Sequence, residues 1–134
     1  MASISAIGSI SHRNATKLRK SGVRTTDSLL EQASTRKGRS VVSERTGIPS
    51  ADLLRWAQQA DLMRVGGVGS EYADLLAAVG VDTIKVLRRR NADNLMVSMI
   101  QVNTRRRLVQ RLPTVDMIQR WIDTAGDMEP IVIS

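Results

Sequence analysis

The sequence predicts an all-α fold made of two related four-helix repeats packed as one compact domain. Three observations carry that expectation. Apolar residues recur at i, i+3 and i+4 between residues suited to starting and stopping helices. Strand vocabulary is scarce: the 134 residues include no Phe and one Tyr, and Val41-Val42 and Ile131-Val132-Ile133 are too short to build a sheet. Finally, one stretch of sequence recurs at an offset of 58 residues.

The helices follow in chain order. Ala15, Leu18 and Arg19 stand at helical spacing, and Gly22 stops the run. Thr25 or Thr26 caps Asp27 to Ala33, and Arg36 to Arg45 reads as a helix that stops before Gly47. Ser50 caps Ala51 to Ala60, with Leu53, Leu54, Trp56 and Ala57 on the apolar face. A short helix runs into Gly67, Ser70 opens the next, and Gly80 ends it. Asp82 or Thr83 starts another, with Ile84 and Leu87 inward. Thr114 caps Val115 to Ala125, with Ile118, Trp121 and Ile122 inward.

Leu18, Gly22, Val23 and Thr25 fall on Leu76, Gly80, Val81 and Thr83, with Ala15 on Ala73 and Leu29 on Leu87. Ile48-Pro49-Ser50 resembles Leu112-Pro113-Thr114 at a longer offset, and each leads to a Trp. The repeats therefore span about 1–60 and 61–125, followed by an irregular tail, 126–134, whose apolar cluster docks on the body or on a partner.

Composition narrows the function. The chain has no Cys and one His, which excludes disulfides, thiolate sites and multi-histidine metal centres. Its acids are scattered singly, so no catalytic residue, metal or cofactor is expected, and the protein is read as a non-enzyme. Two Trp and one Tyr offer little on which to stack bases. Twenty Lys and Arg stand against thirteen Asp and Glu, and the excess is concentrated in the first half, which favours a polyanionic partner. The N-terminus does not read as a secretory signal and no stretch is long and apolar enough for a membrane, so a cytoplasmic protein is expected.

The stretch Arg64-Val65-Gly66-Gly67-Val68-Gly69-Ser70 has the form of a helix-hairpin-helix motif. Glycines allow a tight turn and leave backbone N–H groups bare. At a helix N-terminus such donors and the helix dipole favour a phosphate, and a site of this kind grips the backbone without reading bases. The alternative is that the bend only connects two helices, and Glu71 in the first turn favours that alternative. In the first repeat Ser9 and Ser11 occupy the glycine positions, yet His12, Arg13, Lys17, Arg19, Lys20 and Arg24 follow. One hairpin thus has the backbone and the other the charge. The candidate nucleic-acid-binding residues are Gly67, Val68, Gly69, Ser70, Ser9, Ser11, Arg13, Lys17, Lys20 and Arg64.

From about Ile4 to Ala125 the chain resembles the tandem helix-hairpin-helix family catalogued as domain of unknown function 4332. The residues behind this are Ala33 to Arg39, Thr46-Gly47-Ile48, Trp56, Leu112-Pro113 and above all the run from Ala60 to Thr83. The resemblance implies an all-helical fold and kinship with DNA-binding hairpin modules of repair and recombination proteins. It implies no activity. Ser9 and Ser11 depart from the family pattern, so the resemblance carries no phosphate contact to that copy.

Other features have plainer readings. The segment from Arg36 to Ala60 has the outline of a helix-turn-helix, but Asp52 beside a single Arg55 suits packing better than groove entry. The runs Arg88-Arg89-Arg90, Arg105-Arg106-Arg107 with Arg111, and Arg36-Lys37 with Arg39 are candidate phosphate contacts or solvated helix surface. The expected function is sequence-independent binding of nucleic acid, DNA ahead of RNA. The alternative is an assembly module that docks on an acidic protein surface, as part of a larger complex.

Overall fold

A computed structural model describes residues 2–134, and the chain is all-helical. It divides into two compact units, Met1–Asp61 with Ile131–Ser134, and Leu62–Pro130. The first unit holds a 3-10 turn, Ile4–Ala6, and helices α1 (His12–Lys20), α2 (Thr26–Ala33), α3 (Arg36–Thr46) and α4 (Ser50–Leu62). The second holds α5 (Ser70–Ala78), α6 (Ile84–Leu87), α7 (Ala92–Arg106) and α8 (Val115–Gly126). Among the described residues the only β-type pairing is an isolated antiparallel bridge between Ser3 and Thr25.

Local chemistry sets the helix ends. Ser11, Thr25, Thr35, Thr83, Asn91 and Thr114 each accept a bond from the amide three residues on, relieving one of the orphan donors of a first turn. Thr25 and Ser28 complete a reciprocal capping box. Gly22 and Gly80, at φ 94° and 89°, turn the chain after α1 and α5.

The backbone pattern of α1 and α5 recurs at an offset of 58 residues. Ile7 and Ile10 donate to the carbonyls of Ile4 and Ile7, and Val65 and Val68 to those of Leu62 and Val65. After α1 and α5, Val23 donates to Leu18 at 2.8 Å and Val81 to Leu76 at 2.8 Å. The six aliphatics that shape these bends, Ile4, Ile7, Ile10, Leu62, Val65 and Val68, are all buried. In the later helices Leu53, Trp56 and Ala60 are buried on α4, and Ile118, Trp121 and Ala125 on α8.

Two expectations need correcting. No helix of its own leads into Gly67: α4 ends at Leu62 and two consecutive turns follow. The chain's longest helix, α7, was not expected. Ala92, Leu95 and Met99 are its buried residues, but Val97 and Ile100 face solvent. Apolar residues on both faces blur the 3.6-residue period that reveals a helix.

Candidate nucleic-acid interface

The second unit's bend rests on α8. Val68 is 4% exposed and anchors it, while Gly66, Gly67 and Gly69 present bare backbone to solvent. Gly67 takes φ +88°, and a Cβ there would stand 3.2 Å from the Trp121 indole nitrogen. The Tyr72 and Trp121 rings lie 5.3 Å apart, tilted by 50°, a favourable aromatic geometry. The Tyr72 hydroxyl donates to the Arg111 carbonyl at 3.1 Å. Gly69 is the N-cap of α5 and supplies no side-chain cap. Ser70 opens that helix half-buried, and Glu71 is exposed in its first turn. Arg64 donates to the Glu129 carbonyl at 3.2 Å, which ties one arm of its guanidinium to the segment after α8.

The first unit's bend has different chemistry. Ser9 Oγ donates to Gln59 Oε1 at 2.9 Å, so its hydroxyl proton is committed inside the unit. Ser11 Oγ accepts from the Asn14 amide at 3.2 Å as the N-cap of α1. Ser9 needs no left-handed conformation, because Arg107 is the one non-glycine residue with positive φ among the described residues. Arg13 and Lys20 are exposed and Lys17 half-buried. Spacings of four and three residues put them on one face of α1. Arg19 donates to Ser5 Oγ. Five helices carry an acid in the first turn, as the helix dipole favours. α1 carries none and has His12 and Arg13 there instead.

The structure therefore gathers the candidate residues into two groups, one per unit. Ser9, Ser11, Arg13, Lys17 and Lys20 form the first, and Arg64, Gly67, Val68, Gly69 and Ser70 the second. The first unit has ten Lys and Arg against five acids, and the second ten against eight.

A family model described as a domain of unknown function, DUF4332, matches residues 8–128. The chain belongs to this family. The matched span takes in both glycine- and serine-containing bends and helices α1 to α8. No curated protein and no solved structure matches the DUF4332 chain.

The basic runs of this DUF4332 chain sort by exposure. Arg36 and Lys37 are exposed, but Arg39 is 3% exposed and is no surface cation. Its guanidinium donates to the Ala33 carbonyl at 3.0 Å and to the Ile133 carbonyl at 2.8 Å. Burial, and then its neighbour Arg36, hold its pKa below the ordinary arginine value. Arg88 has a buried Nε with no hydrogen-bond partner, and Arg90 reaches the Val79 carbonyl at 3.5 Å. Arg89, Arg105, Arg106, Arg107 and Arg111 are exposed.

In the helix-turn-helix outline Arg55 is exposed and pairs with Asp52 at 3.1 Å, while Gln59 is 7% exposed. Trp56 and Trp121 are each 2% exposed, as core residues. Among the described residues no group of three His, Cys, Asp or Glu is placed to hold a metal ion, and no helix is long and apolar enough to cross a membrane.

Sequence reasoning missed Asp61. It is 3% exposed, and its Oδ2 accepts from the Ile131 and Val132 amides at 2.9 and 3.1 Å.

Proposed function

We propose that this DUF4332 chain binds the sugar-phosphate backbone of nucleic acid, DNA ahead of RNA, without reading bases and without catalysis. The binding elements are two helix-hairpin-helix motifs, one in each unit. The observation that carries this reading is the start of α1. A helix N-terminus already positive through its amides adds Arg13, with Lys17 and Lys20 along the same face, and has no acid in its first turn. That arrangement works against the helix dipole and suits an incoming anion. The second bend contributes uncapped backbone at Gly69, where the chain is narrow enough for a phosphate oxygen to approach. Cationic side chains release counterions on binding, which gives affinity without sequence preference.

The test is fluorescence anisotropy with duplex and single-stranded DNA at about 50 and about 200 mM salt. Binding at the lower salt that weakens steeply at the higher is the expected result. Absence of binding to both DNAs at the lower salt refutes the reading.

A second reading is an assembly module that docks on a protein partner. It is favoured by α7, where Val97 and Ile100 are 54% and 44% exposed.

A further inference from the structure

The tail is not loose: Ile131–Ser134 belongs to the first unit. Its backbone is held at three consecutive residues. Ile131 and Val132 donate to Asp61 Oδ2 at 2.9 and 3.1 Å. Ile133 donates to the Ser34 carbonyl at 2.7 Å and accepts from Arg39 Nη2 at 2.8 Å. The tail's own side chains contribute less, since Ile131 and Ile133 are 40% and 65% exposed.

From this we propose that Ser34, Arg39 and Asp61 form a peptide-binding seat, able to take the segment 131–134 of a second copy of this chain in place of the resident one. Three features support the assignment. Asp61 and Arg39 are each 3% exposed with the tail seated, and Arg39 also donates to the Ala33 carbonyl at 3.0 Å, so the donor is held by the body of the unit as well as by the tail. The contacts are all to main chain, as in recognition of an extended strand. The occupant is thus defined by chemistry: a segment with backbone N–H at three consecutive positions, which excludes proline at each of them. Exchange of this identical segment between copies needs no new kind of contact, which is the low-cost route to a swapped dimer. The resident tail competes as a tethered ligand at an effective concentration on the order of millimolar, so an incoming tail gains access when the resident one is unseated.

The full-length chain carrying Val132→Pro provides the test. Proline removes one of the two N–H groups donated to Asp61 and unseats the resident tail. The probe is a fluorescent peptide with the sequence of residues 127–134, read by anisotropy. We expect binding at least about tenfold tighter to the Val132→Pro chain than to the parent, because the tethered competitor is gone. A second peptide with proline at the Val132 position should not bind. Equal binding to both chains, no binding to the Val132→Pro chain, or equal binding of the two peptides overturns the proposal.

Should circular dichroism show that Val132→Pro does not fold, the folded parent serves instead. A copy with a nitroxide on Ser134→Cys is mixed with an isotopically labelled parent copy at millimolar concentration. Broadening of the Ser34 to Arg39 amides in the labelled copy is expected, and its absence overturns the proposal. Neither readout involves nucleic acid, so its outcome is separate from that of the binding function above.

Discussion

The Trp121 indole nitrogen stands 3.2 Å from the position of a Cβ on Gly67, so the bend of the second unit is fitted against α8 at its one left-handed residue. Two demands meet at this glycine, one conformational and one steric.

Gly67→Ala should destabilise the chain by about 2 kcal/mol. A side chain in the left-handed region costs roughly 1–2 kcal/mol, and the indole must give way as well. Gly69→Ala is the matched control. Gly69 has φ −85° and open space around its Cβ position, so the loss is at most about 1 kcal/mol, the N-cap preference for glycine over alanine. Denaturant midpoints of the two variants measure the difference. If Gly69 backbone contacts phosphate, Gly69→Ala weakens DNA binding more than it weakens the fold.

Arg13→Glu should move stability and binding in opposite directions. An acid in the first turn of α1 favours the helix by about 0.3–1 kcal/mol, while the cation offered to phosphate is lost. Adding Lys17→Glu should reduce the slope of log affinity against log salt by about 2. Chemical denaturation and salt-dependent anisotropy check the pair. An unchanged slope would remove α1 from the interface.

Arg39→Met should destabilise by about 1–3 kcal/mol. The Ala33 carbonyl would lose its donor inside the unit, at the cost of one buried orphan, while the Ile133 carbonyl, on a residue 65% exposed, can turn to water. Hydrogen exchange at the Ile131 to Ile133 amides should quicken in the same variant. Exchange unchanged from the parent would show that the tail is held by other means.

Gly38→Ala sets two effects against each other. Alanine gains about 1 kcal/mol of helix propensity over glycine. The added Cβ, however, would lie 2.3 Å from the Gln32 carbonyl oxygen, too close for any real contact, so backbone must shift. Overpacking of this kind costs about 1–3 kcal/mol, and the net prediction is destabilisation, read as a lower thermal midpoint.

Much of the helical framework was legible in the sequence because helix ends are local. Thr25, Thr83 and Thr114 act where capping chemistry puts them, and Gly22, Gly47 and Gly80 adopt the positive φ that their stop positions call for. The α7 helix was hidden because Val97 and Ile100 add apolar residues to its outer face. The tail seat was hidden for another reason. Asp61 and Ile131 are 70 residues apart, and a single acid at a helix end carries no sign of its partner. Arg39 read as a surface cation because the neighbouring Arg36 and Lys37 are cations too, and nothing in that run distinguishes the inward residue. In the candidate interface, the sequence singled out Arg13, Lys17, Lys20 and Val68, and the structure adds the shared face of the three cations and the burial of Val68. The sequence did not reveal that Gln59 takes the Ser9 hydroxyl.

Each bend is moulded from beneath, by main-chain bonds and three inward aliphatics, none of which involves the second residue of the helix that follows. Arg13 and Glu71 occupy the same helical position in their two units, both exposed. Opposite electrostatic signatures can therefore be written on one architectural template at a single codon. A charge-reversed pair of units would differ from the native chain in what it attracts, with the scaffold beneath left as it is.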